Sequence, residues 1–171
     1  MKALFAVLGM VTLIPAFGQE GPVKIGIVDA DIVIQESIKG KRFFQEFEQF
    51  GKQKSDEIQA RVSEYSDKEK DYKNKVNSLS EDKRREMVVQ LQNLEKDIKR
   101  MQEDAKQESD RRLNDALSKF RKELGPVIQA VAEEMKLDII INHGPQSNLV
   151  YFNARVDITD AVIKKYDESA E

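Results

Sequence analysis

From about Lys39 to Leu124 the apolar residues recur at helical spacing but never widen into a face. The first run is Phe43, Phe47, Phe50, Ile58, Val62, Tyr65, Tyr72, Val76 and Leu79. After a break the stripe resumes at Met87, Leu91, Leu94, Ile98, Met101 and Ala105. The second set steps four, three, four, three, four, which is a heptad seam for one partner helix. A helix of a globular core needs a wider apolar face. The segment is therefore expected to fold as a two-helix arm in water. Lys54 and Glu69 fall on seam positions of the first helix, so that helix should bend more readily than a continuous coiled coil.

Asn74, Asn77, Ser78 and Ser80 supply turn signals between the two runs, and Ser80 can cap the second helix. The tip is expected near 77–80. At ~1.5 Å per residue, the descending helix would be roughly 57 Å long. Phe43, Phe44, Phe47 and Phe50 cluster at the root. Their plain reading is a hydrophobic collar where the arm enters the folded body.

Outside the arm the chain is short of material for a core. Hydrophobic residues are 40% and charged residues 35% of the sequence, which suits a coiled coil with a small folded part. Val23 to Asp29 alternates as a strand, with Val23, Ile25 and Ile27 on one face. Gly125-Pro126 is expected to interrupt the returning helix, because proline removes a helical N–H. The more apolar segment from Val127 to Met135 should then pack on the body. Leu137–Asn142 and Leu149–Asn153 read as two further strands joined through the turn-rich His143–Asn148 loop, as a hairpin. A last helix would start at Asp157 or Thr159 and carry Ala161, Val162 and Tyr166.

Three strands leave two open edges, which proteins rarely expose. The expected fold is therefore α+β: a long helical hairpin projecting from a small β-barrel body that forms by oligomerisation. The body is expected over 19–42 and 118–171, and the arm over 43–117. The strand residues Ile25, Ile27, Ile139, Ile141, Val150 and Phe152 are expected in the oligomer core.

The first 18 residues speak to compartment. Lys2 gives a basic start, Ala3 to Ile14 is apolar, and Ala16-Phe17-Gly18 places small residues at a cleavage site. A dozen apolar residues is short for a span, which takes about 20. Residues 1–18 are thus expected to be a cleaved export signal.

The chain offers little for catalysis. There is no Cys, which removes thiol chemistry, disulfides and Cys-ligated metals. His143 is the single histidine and has no metal or triad partners nearby in sequence. Asp29 and Asp31 stand where α/β enzymes keep carboxylates, but helix caps are the simpler reading. Gly40-Lys41-Arg42 lacks the spacing of a phosphate loop. No enzyme activity, metal or cofactor is expected. A formal net charge of −3 argues against nucleic acid as a partner. Around the tip, Lys73, Lys75, Lys83, Arg84 and Arg85 outweigh Glu81 and Asp82. Their plain reading is a solvated face; their functional reading is weak attraction for acidic clients or anionic lipid headgroups.

Taken in order, these pieces resemble the Skp/OmpH family of periplasmic chaperones. The resemblance rests on the leader, Lys24-Ile25-Gly26-Ile27-Val28-Asp29, Ser37 with Gly40-Lys41, the charged hairpin and Pro126-Val127-Ile128. The closing Leu149–Phe152 and Val156–Ile163 segments are its most specific part. It implies a homotrimer with a barrel body and three arms around a cavity. It also implies ATP-independent holding of unfolded outer-membrane β-barrel proteins in the periplasm, with Phe43, Phe44 and Phe47 facing the client. The chain is acidic where the best-known members of that family are strongly basic, which weakens purely electrostatic capture. The rival reading is an exported structural coiled-coil adaptor with one fixed partner.

Overall fold

Asp29 follows a strand and caps a helix. Its side chain accepts from the N–H groups of Asp31 and Ile32, each at 3.0 Å, and so satisfies two of the free donors of a helix start. Asp31 lies in the first turn of that helix and is not the cap. The computed structural model describes residues 21–144 and 147–169. The leader expected at 1–18 lies outside the described residues.

The order is strand β1 (Ile25–Val28), helix α1 (Ala30–Glu36), helix α2 (Ile38–Lys75), helix α3 (Glu81–Met135), strand β2 (Ile139–Asn142) and helix α4 (Thr159–Glu168). A single 3-10 turn at Ala154–Val156 precedes α4. Ser37 separates α1 from α2 with an extended backbone and caps α2 by accepting from Gly40 N–H at 3.1 Å. Ser80 caps α3 by accepting from Lys83 N–H. The turn between α2 and α3 thus occupies residues 76–80, in line with the turn signals.

Helix α2 has 38 residues and α3 has 55, and they pack side by side along the seam. Leu94 is buried between them, while Ile58, Met101 and Ala105 are half-buried. The seam is thin, as the narrow stripe requires.

Two expectations for the body need correction. Helix α3 runs through Gly125-Pro126 without a break. Proline in a helix interior costs about 3 kcal/mol. Here Leu124, Val127 and Val131 on either side are all buried in the core, and that packing holds the helix together. The second correction concerns the hairpin. Strand β2 pairs in parallel with β1, in the register Ile25↔Ile139, Gly26↔Ile140, Ile27↔Ile141 and Val28↔Asn142. Leu149–Asn153 forms no strand, and Val23 lies outside β1. A parallel pair needs a long crossover, and the whole arm is that crossover. The segment at 149–153 alternates well but finds no ladder partner among the described residues.

The body's core is mainly helical. Val33 and Ile34 of α1, Phe120, Leu124, Val127 and Val131 of α3, and Val162 and Tyr166 of α4 close around Val28 and Ile158. Gly26 leaves room in β1 for the tips of Leu137 and Ile158, since a Cβ there would fall 2.7 Å from Leu137 Cδ1 and displace it. On its other side β1 receives a single bridge among the described residues, with Ile158 N–H donating to Ile27 O at 2.8 Å.

Candidate functional site

The pairing register decides which strand residues share a face. Val28 and Ile140 pack on the helical core. Side chains alternate along a strand, so Ile25, Ile27, Ile139 and Ile141 stand together on the opposite face. Ile25 is 39% and Ile139 is 48% exposed, although both are large and apolar. Ile141 is half-buried, whereas Ile27 is 3% exposed and already covered by its own chain. Nearby in the chain, Val150 is 98% exposed and Phe152 rests edge-on against His143, with centroids 5.0 Å apart. The outer edge of β2 has no strand partner among the described residues. An uncovered apolar face beside an open strand edge is costly in water and suits association.

At the arm root the phenylalanines cluster around Phe43, which stacks on Phe47 and meets Phe44 and Phe120 edge-on. Phe43 lies 5.3 Å from Phe44, 5.7 Å from Phe47 and 5.8 Å from Phe120, centroid to centroid. Phe43 and Phe44 pack on the body core and are half-buried, as is Phe47. The face of Phe50 is covered by the Arg112 guanidinium at 4.0 Å. These contacts make a collar. Phe43, Phe44 and Phe47 each keep part of their surface open to solvent.

The five basic residues of the tip are all engaged on their own helices. Lys73 pairs with Glu69 at 2.8 Å, Lys75 with Asp71 at 2.6 Å and Lys83 with Glu86 at 2.8 Å. Arg84 and Arg85 both reach Glu81, at 3.8 and 3.7 Å. Lys73 and Lys75 close the last turn of α2, and Glu81 and Asp82 open α3, so these charges complement the two helix dipoles. Exposed pairs of this kind contribute about 0–1 kcal/mol each. The tip is better described as charge-balanced than as a basic patch.

One polar cluster gave no warning in the sequence. Tyr166 donates its hydroxyl hydrogen to Glu123 Oε2 at 2.6 Å, and Lys39 Nζ reaches the same oxygen at 3.1 Å. The Tyr166 hydrogen bond, with help from Lys39, holds the Glu123 carboxyl below its ordinary value against the opposing effect of burial. Burial first, and then Glu123, push the Tyr166 phenol well up. The cluster spans α2, α3 and α4, which local patterns could not join. The only hint was Tyr166 standing on the apolar side of α4 with Val162.

No three His, Asp or Glu side chains among the described residues are grouped to hold a metal ion. No helix among them is long and apolar enough to cross a membrane.

A long helical hairpin rooted in a small mixed body, with one apolar sheet face left uncovered, defines a class of arm-bearing proteins. The chain belongs to the OmpH-like outer membrane protein family, whose sequence model matches residues 24–166. Its fold is also similar to the crystal structure of a proposed outer membrane chaperone (OmpH-like) from Caulobacter crescentus CB15. The TM-score is 0.78 at 20% identity, over 95% of this chain and 92% of that one. No curated protein sequence matches the chain.

Proposed function

We propose that this protein is an ATP-independent holdase of the periplasm, exported by its leader. It works as a homotrimer whose arms enclose unfolded outer-membrane β-barrel proteins and deliver them soluble for assembly. The observation that carries this reading is the pairing of a long, thinly seamed arm with an uncovered apolar sheet face on the same chain. Family membership and the name given to the Caulobacter relative support it. In this reading Ile25, Ile139, Ile141, Val150 and Phe152 form the communal base, with the outer edge of β2 paired to a neighbouring copy.

The physical logic is avidity. An exported barrel precursor shows alternating apolar residues and unpaired strand edges, and it aggregates in water. A cavity with many weak contacts holds such a chain while each contact stays quick to break. The exposed parts of Phe43, Phe44 and Phe47 supply apolar contact at the cavity floor. Because the tip cations are already paired, contact with anionic lipid is a minor term.

Shortening the arm tests the reading. Ser55 on α2 and Ala105 on α3 line the same groove between the helices, so replacing 56–104 with a short turn closes the arm at matched levels. The truncated protein is expected to keep its oligomeric mass and lose protection of an unfolded outer-membrane protein against aggregation. Unchanged protection would refute the cavity.

A further inference from the structure

The two legs of the arm are anchored in different ways. Helix α3 passes unbroken from the arm into the body, buried there through Leu124, Val127 and Val131. Helix α2 has no such continuity. It meets α1 at Ser37, whose ψ of 155° is far from helical. Just beyond, Gly40 lies against the end of α1 with no side chain, because a Cβ there would fall 1.5 Å from Ile34 O. That contact is backbone on backbone, and the side-chain links across the joint are Ser37 Oγ, which donates to Ile34 O at 3.2 Å, and the exposed Lys41–Glu36 pair at 2.8 Å.

Helix α4 adds a second hold on the root of α2, from outside the joint. Asp167 Oδ1 accepts from Ile38 N–H at 2.9 Å. That N–H belongs to the first turn of α2, where no helical carbonyl is available. Lys39, the next residue, donates to Glu123 Oε2 at 3.1 Å and sits 4.9 Å above the Tyr166 ring. Tyr166 is 0% exposed and bonds the same carboxylate oxygen. Lys119 stands 3.9 Å from the other oxygen of Glu123. Two successive residues of α4 thus hold two successive residues of α2, with Glu123 of α3 as the shared anchor.

We propose that α4 is a strap that sets the angle at which the arm leaves the body, closing on the root of α2 at Ile38 and Lys39. The strap acts within one chain. Only its consequence rests on the chaperone reading: three arms held at a fixed angle define the width of the cavity mouth, and loosening the strap widens the range of clients that fit.

The chain has no Cys, so two introduced cysteines can be spin-labelled without background. Exposed Glu48 on α2 and exposed Gln129 on the body part of α3 are suitable sites. The labelled full chain is diluted into unlabelled protein, so that double electron–electron resonance reads the distance within one chain. The unmodified strap should give one narrow distribution. Lys39→Met with Asp167→Ala, which leaves Tyr166 in the core, should broaden it about twofold, as release of a low-stability local contact would. Circular dichroism should stay unchanged. Should the double variant lose its helical signal, Lys39→Met alone is read in the same way. An unchanged distribution in the folded variant overturns the strap. A broadened distribution with no change in the clients protected keeps the strap and sinks its chaperone consequence.

Discussion

Tyr166 and Glu123 lie 43 positions apart, yet the hydroxyl of one donates to the carboxylate of the other at 2.6 Å. A hydrogen bond to a charged group contributes about 1.5–3 kcal/mol. Tyr166→Phe keeps the ring in the core and removes only this bond, so it should destabilise by roughly that amount in urea unfolding at pH 7. The effect should also depend on pH. Glu123 titrates lower in the folded chain than its ordinary value of about 4.3. Its contribution is therefore complete above the unfolded value and is lost as pH falls through the lower folded one. The gap between wild type and Glu123→Gln should close in acid. A gap that persists unchanged there would contradict the assignment.

Gly40 should tolerate no side chain. Its absent Cβ would overlap the Ile34 carbonyl oxygen, a backbone atom that cannot swing aside. Overpacking costs about 1–3 kcal/mol even where side chains can shift. Gly40→Ala should meet or exceed the upper end, seen as a lower Tm at fixed protein concentration. Gly51→Ala, on the same helix with open space around it, should be neutral or slightly stabilising.

Pro126 is exposed and interrupts no packing, so its cost is purely one of backbone. Pro126→Ala restores an N–H to α3 and should raise stability by up to about 3 kcal/mol. A loss of stability would mean that the ring has a packing role not evident in its surroundings.

Ile139 and Ile141 share the sheet face turned away from the core. Replacing both with Asp should leave the helical signal intact and yield monomers by light scattering. Trimers that persist would place the interface elsewhere.

Much of this was legible in the sequence. The stripe from Met87 to Ala105 specifies one narrow seam, and a narrow seam specifies a hairpin. The Asn and Ser residues at 74–80 located the turn because their preference for it is local. Asp29 and Ser80 showed their capping roles for the same reason. What failed was non-local. Pro126 reads as a helix breaker until the burial of Leu124, Val127 and Val131 is known. Leu149–Asn153 has the alternation of a strand, but alternation supplies no ladder partner. Ile27 reads as the equal of Ile25, and only the fold shows that one is covered and the other open. The Lys39–Glu123–Tyr166 cluster joins residues up to 127 positions apart, as the Ile38–Asp167 bond beside it joins pairs 129 apart. No window along the chain contains both ends.

The central claim is a shared base carrying arms that close around one unfolded chain. Its most direct test is the absolute mass of the protein, measured by light scattering with and without an unfolded outer-membrane protein. The account predicts three copies alone, and three copies with one client bound when the client is added. A monomer in both conditions, with the client lost to aggregate, would contradict it.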